Sequence, residues 1–206
     1  MEGLKAIQTE YKGFLFRSRL EARWAVFFDS CGVDWEYEPE GYDLGDGLYY
    51  LPDFLLHGVT VNHGYFRKNC DIYVEVKGKM NDSDAEKINR FYEAGYPADS
   101  DWGVSRAAVL LVGNIPDGET MSEILDSMHD AAYDDHGNWP NPYNFATVDG
   151  DYFGAYPGVD KRGRFNLFGD DSTYLWSMNS TATEQAYRKA RQARFEFGET
   201  PNGRRN

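Results

Sequence analysis

Three features of the chain predict an α/β fold. Residues 18–31 carry Leu20, Trp24, Phe27, Phe28 and Cys31 at helical spacing. Residues 71–78 alternate as a strand, with Tyr73, Glu75 and Lys77 on one face and Val74 and Val76 on the other. Residues 107–112, AAVLLV, have the uniform apolar character of a central strand covered on both faces. Helix, strands, helix and strand in that order make an α/β core.

Taken in order, Ser18 is placed to cap the first helix, with Glu21 three residues on as its capping-box partner. A short strand around residues 34–37 follows, then a turn through Gly41, Gly45 and Gly47 and a hairpin partner over 48–56. Residues 57–69 read as a loop leading into strand 71–78. Asn81 or Ser83 caps a helix running to about Glu93, with Ile88, Phe91 and Tyr92 facing inward. Beyond Gly113, residues 122–132 form a helix, 138–163 read as a long loop or small insertion, and 172–176 as a further strand. Thr181 or Thr183 begins a last helix with Ala186, Tyr187, Ala190, Ala193 and Arg194 in register, ending near Gly198. The expected organisation is one domain over 1–198, elaborated at about 114–180, with a flexible tail over 199–206.

Composition narrows the classes. With 206 residues the chain buries one sizeable core. No stretch approaches eighteen apolar residues and the first residues lack a signal-type apolar run, so the expectation is a soluble, intracellular protein. Cys31 and Cys70 have no metal or redox spacing and read as buried thiols, and His57, His63, His129 and His136 form no ligand cluster, which argues against zinc. The net charge of −13 argues against a general, tight nucleic-acid binder. The acidity is uneven: residues 1–80 hold nine Lys/Arg against thirteen Asp/Glu, 81–180 six against eighteen, and 181–206 six against three. Tyr143, Phe145, Tyr152, Phe153 and Tyr156 fall where periodicity is weak, which leaves either core packing or a platform for bases or a protein partner.

The chemistry concentrates in two segments. Leu51-Pro52-Asp53-Phe54 sets an aspartate at a strand end, where Pro52 disfavours a central ladder position, and Val74-Glu75-Val76-Lys77-Gly78 sets a carboxylate and an ammonium on one strand face. Asp53 and Glu75, with the Val76 carbonyl and waters, suit Mg2+, which prefers carboxylates and keeps water. Lys77 would orient a metal-bound water and offset charge in phosphodiester hydrolysis. Solvated alternation and an ordinary turn are the competing reading. Glu21 lies beside the apolar face of its helix and is either the capping partner of Ser18 or a ligand and site-orienting group. Arg17, Arg19, Arg23, Lys79, Arg188, Arg191 and Arg194 are candidates for phosphate contact, or else surface ion pairs.

The run FLFRSRLEARWAVFFDSCGVDWEYE at 14–38, followed by YLPDF and VEVKG, resembles the PD-(D/E)xK nuclease superfamily, in particular its small phage and prophage members. The stretch at 186–196 is similar to the tail of those proteins. The resemblance covers residues 11–80 and, more loosely, the last helix. It implies a restriction-endonuclease-like mixed β-sheet flanked by helices. Glu21 matches the helix glutamate, and Asp53, Glu75 and Lys77 the remaining site positions. It also implies DNA cleavage with Mg2+ or Mn2+ in the cytoplasm of a phage-carrying host, with DNA as partner, a recruiting protein as a second one, and no membrane. The alternative is a phage accessory or protein-binding module on a nuclease-like scaffold without significant catalysis, since some members with this fold have lost the chemistry.

Overall fold

The computed structural model describes residues 7–63, 66–95, 108–132, 142–146, 152–169 and 175–195. In chain order the elements are β1 (Thr9–Tyr11), β2 (Phe14–Phe16), α1 (Arg19–Cys31), β3 (Asp34–Tyr37), β4 (Tyr42–Asp43), β5 (Tyr49–Tyr50), β6 (Phe54–His63), β7 (Phe66–Val76), α2 (Asp82–Ala94), β8 (Val109–Val112), α3 (Met121–Ala132), β9 (Asn144–Ala146), β10 (Tyr152–Val159), β11 (Phe165–Gly169) and α4 (Ser180–Gln192). A seven-stranded mixed sheet runs in the order β11-β10-β9-β8-β7-β6-β3, and β1–β2 and β4–β5 form two small sheets beside it. The β7–β8 and β6–β11 pairs are parallel and the rest antiparallel. The α/β class and the flanked mixed sheet therefore stand, and β11 pairs back onto β6 so that the sheet nearly closes on itself.

The closure depends on a bulge. Register shifts in the β6–β7 pair between Leu56 and Val59, where Gly58 adopts φ 61°, a conformation that β-carbon sterics discourage in other residues. Before the bulge β6 pairs with β3, and after it with β11. Gly58 N–H donates to Asp71 Oδ1 at 2.8 Å, which fixes the kink. His57, at the same place, contacts Asp71 Oδ2 at 3.1 Å and Glu36 Oε1 at 2.9 Å. Burial pulls its pKa down, but the two carboxylates outweigh that and leave it raised. A raised folded value favours the protonated form, so the stabilisation is complete below the ordinary histidine value of about 6.5 and fades as pH rises through the shifted one. Relative to wild type, His57→Gln should lose under about 1 kcal/mol at pH 6 and nothing at pH 9, measured by urea unfolding at both.

The sheet divides two cores. On one face Ile72, Val74, Val76, Leu110 and Val112 pack with the aromatic side of α1 and with α4. Here Tyr187 of α4 stacks on Phe27 at 4.2 Å, and Phe28 meets Phe54 of β6 at 5.3 Å and Phe165 of β11 at 6.2 Å. Because Phe28 is fully buried between elements distant in sequence, Phe28→Ala should cost about 3–5 kcal/mol in an unfolding titration. On the other face Tyr73, Val109 and Leu111 pack with Tyr50 and with Ile88 and Phe91 of α2.

Several expectations are corrected. Residues 57–63 and 66–69, expected as a loop, are strand in the β6–β7 pair, with Val59 and Val61 buried. Within 138–163, the described part is strand: β9 and β10 extend the main sheet, with β11 beyond them. Tyr143, Phe153 and Tyr156 are accordingly core residues and not an open platform, while the side chains of Phe145 and Tyr152 lie outside the described residues. Of the strand expected at 172–176, residues 172–174 lie outside the described residues, while Leu175 and Trp176 form a helical turn and not a strand. The last helix ends at Gln192 and not near Gly198, because Ala193 turns to extended backbone at φ −60° and ψ 124°, which leaves Ala193 and Arg194 beyond it. His136 and the tail over 199–206 lie outside the described residues. Cys31 and Cys70 are buried free thiols, as expected. No described helix is long and apolar enough to cross a membrane.

Candidate functional site

The β6–β7 pairing brings the two central carboxylates together. Asp53 occupies the bend just before β6, and its N–H donates to the Val74 carbonyl at 3.1 Å, one step beyond the Phe54–Val74 pair. Its side chain reaches across, so that Oδ2 accepts from the Val76 N–H at 2.7 Å. Glu75 alternates onto the α2 face, as the strand period requires, and both carboxylates are buried. Lys77 Nζ stands 2.9 Å from Glu75 Oε1 and 3.5 Å from Asp84 Oδ1.

Neighbouring elements hold these groups in place. Tyr50 donates its hydroxyl to Glu75 Oε2 at 2.7 Å, and its ring is set by Phe91 of α2 at 4.9 Å. Asp84 sits in the first turn of α2 because Asn81 caps that helix, accepting from the Asp84 N–H at 3.0 Å. Arg17 bridges two carboxylates, with Nη2 2.6 Å from Asp53 Oδ1 and Nε 2.7 Å from Glu38 Oε1. Glu21 holds the Arg17 backbone: its Oε2 accepts from Arg17 N–H at 3.0 Å and from Tyr37 Oη at 2.7 Å. Its Oε1 accepts from Ser18 Oγ at 2.7 Å, while Ser18 Oγ accepts from Glu21 N–H at 3.1 Å. Ser18 is thus the expected N-cap, while the Glu21 carboxylate reaches one residue further back, to the Arg17 N–H, where a capping box would use the N–H of Ser18.

An open cleft of about 190 Å3 lies over the group, lined by Arg17, Tyr49, Tyr50, Glu75, Lys77 and Asp84 among others. Asp53 does not line it, so Arg17 stands between the cleft and Asp53. Burial and the adjacent Glu75 charge push the Asp53 carboxyl well above the ordinary range, which the Val76 N–H and Arg17 only partly offset. Burial raises Glu75 too, against the pull of Lys77 and Tyr50. Burial lowers Lys77, but Glu75, Asp53 and Asp84 together leave its ammonium more firmly protonated. Two repelling carboxylates in a desolvated place create a demand for positive charge.

No family model, curated protein or solved structure gives a significant match to the chain.

Of the expected site residues, Asp53, Glu75 and Lys77 come together as one group, with Glu21 linked to them through Arg17. Arg17 belongs to the same group. The other basic candidates are scattered. Lys79 is exposed, and Arg23 carries a buried Nε without a partner. Arg188 and Arg191 are engaged by the loop before α3: Arg188 pairs with Glu119 at 3.1 Å, and Arg191 donates to the carbonyls of Pro116 and Gly118. Sequence reasoning missed Tyr50, Tyr37, Glu38 and Asp84. Asp84 alone carried a local signal, as an acidic residue three positions after a helix cap and seven after Lys77.

The donor chemistry fits a hard divalent ion. Mg2+ needs only one or two carboxylates and completes its shell with water, and Asp53 and Glu75 supply two whose repulsion such an ion would relieve. Among the described residues no group of three or more His, Cys, Asp or Glu side chains is arranged as a ligand set. An ion held by these two carboxylates would have to displace Arg17 from Asp53 Oδ1.

Proposed function

We propose that the chain is a metal-dependent deoxyribonuclease of the PD-(D/E)xK type. The observation that carries this reading is the convergence of Asp53, Glu75 and Lys77, from segments twenty-four residues apart, beneath an open cleft. Asp53 and Glu75 would hold Mg2+ or Mn2+, which when bound supplies Lewis-acid polarisation of a phosphodiester and a water of lowered pKa. Lys77 Nζ orients the attacking water and offsets charge on the phosphoryl oxygens. Tyr50 fixes the Glu75 carboxylate, and Asp84 keeps Lys77 over the cleft. Incubating the protein with supercoiled, linear and branched DNA tests the reading: it requires cleavage in Mg2+ that EDTA abolishes.

One observation favours the alternative of a non-catalytic scaffold. Every oxygen of Asp53 and Glu75 has a protein donor, and Arg17 neutralises Asp53 and Glu38 together. Arg17→Ala separates the two readings. If Arg17 is a counter-ion that a metal displaces, its removal tightens Mn2+ binding about tenfold or more in calorimetry. A structural ion pair instead predicts a loss of about 1–3 kcal/mol with no metal response, because Asp53 loses a donor while the half-exposed guanidinium is partly screened by solvent.

A further inference from the structure

The β10–β11 turn concentrates positive charge in an acidic part of the chain. Of the six Lys/Arg in residues 81–180, three are Lys161, Arg162 and Arg164. All three are exposed.

The turn is rigidly built by Asp160, which is buried. Its Oδ1 accepts from the N–H groups of Arg162 at 2.8 Å and Arg164 at 2.9 Å, and its Oδ2 accepts from Arg164 Nε at 3.0 Å and Nη2 at 2.7 Å. Arg164 is thereby occupied, and Lys161 and Arg162 are displayed. The 175–178 segment is clamped against the same turn: Lys161 N–H donates to the Ser177 carbonyl at 3.0 Å, and Asp160 bridges to Met178. This holds Trp176 beside Lys161, whose Nζ lies 5.5 Å from the ring centroid. The indole is 71% exposed, the most exposed of the large apolar side chains described. Cations on a rigid turn around an exposed aromatic ring, one of them over one face of that ring, are the elements from which single strands are bound, with phosphates on the charges and a base on the ring.

We propose that Trp176, Lys161 and Arg162 form a contact site for single-stranded nucleic acid, with a base stacked on Trp176 and flanking phosphates on the two cations. The site goes beyond the cleavage chemistry and does not require it. A strand is the partner that the charge distribution favours. A planar anionic lipid surface would extend past the turn over neighbouring parts of a chain with net charge −13, whereas a single strand touches the turn alone. One indole also offers little apolar area for insertion into a bilayer.

The test uses the full chain in EDTA at low salt, with fluorescence anisotropy of labelled twelve-nucleotide oligo-dT and oligo-rU. A duplex of the same length and phosphatidylserine-containing vesicles are run beside them. Wild type should bind both single strands more tightly than the duplex. Trp176→Ala should weaken binding about tenfold and Trp176→Phe much less, because a ring is retained. Lys161→Glu with Arg162→Glu should weaken binding and make the log–log salt slope shallower by roughly 1.4, the value for two lost phosphate contacts to a single strand. Melting temperatures should be unchanged, since all three side chains are exposed. The proposal is overturned if wild type binds neither oligonucleotide, if the folded variants bind like wild type, or if only vesicles are bound. DNA cleavage by a protein whose Trp176→Ala variant binds strands normally would sink this site and leave the nuclease reading intact.

Discussion

Lys77→Ala should fold normally, bind metal at least as well as wild type, and cleave DNA about 100-fold or more slowly. Lys77 Nζ lies against Glu75 and Asp84 with its side chain 30% exposed to the cleft, so it reaches both the carboxylate that would hold the ion and the space where a phosphate would sit. Loss of one preorganised electrostatic group at a reacting centre costs about two to three orders of magnitude in rate. Removing a cation beside the ion site also removes a repulsion, hence the undiminished metal affinity. Loss of the Glu75 partner lowers the melting temperature in either case, but if Lys77 served only as a salt-bridge partner, activity per folded molecule would stay near normal. Cleavage rate per folded molecule, taken with the melting temperature on one preparation, tells the two apart.

Asp53→Asn and Glu75→Gln should each abolish the response to metal while leaving the metal-free protein at least as stable as wild type. Burial raises both carboxyls, and the Glu75 charge raises Asp53 further. A raised folded value means stabilisation that is complete below the unfolded carboxylate value of about 4 and lost as pH climbs through the shifted one, so near neutrality the ionised pair weighs against the fold. Neutralising one member removes that cost. In the Asp53→Asn variant the side-chain amide oxygen would still accept from the Val76 N–H, and Arg17, half-exposed, keeps Glu38. In thermal melts at pH 8, wild type should rise by several degrees between EDTA and 10 mM Mg2+, a concentration of order ten to a hundred times a Kd of about 0.1–1 mM. Both variants should show no rise.

The helices and the site pair were legible because each rests on local rules. Ser18 with Glu21, and Asn81 before its acidic turn, announce α1 and α2, and the alternation from Tyr73 to Lys77 assigns faces correctly. What escaped was closure of the sheet. In β10, Pro157 and Gly158 look like breakers. Past Gly154, however, β10 no longer pairs with β9 and keeps only β11, so Pro157 has no donor role to fill on the open side. At Gly158 a β-carbon would meet the Thr183 side chain at 3.1 Å, a tight approach that favours glycine. In β6, His57-Gly58 interrupts the alternation because the strand itself is bulged there. The links of Tyr50 to Glu75 and Arg17 to Asp53 span twenty-five and thirty-six residues and depend on tertiary packing that no local pattern encodes.

The most direct test is a calorimetric titration of Mn2+ into wild type and into the Asp53→Asn/Glu75→Gln double variant at pH 8. If the two carboxylates form one ion site, wild type takes up Mn2+ with a saturable heat at this site that the folded double variant lacks. Equal heats in the two proteins, or none in wild type, would contradict it and leave the cluster as an internal ion-pair network.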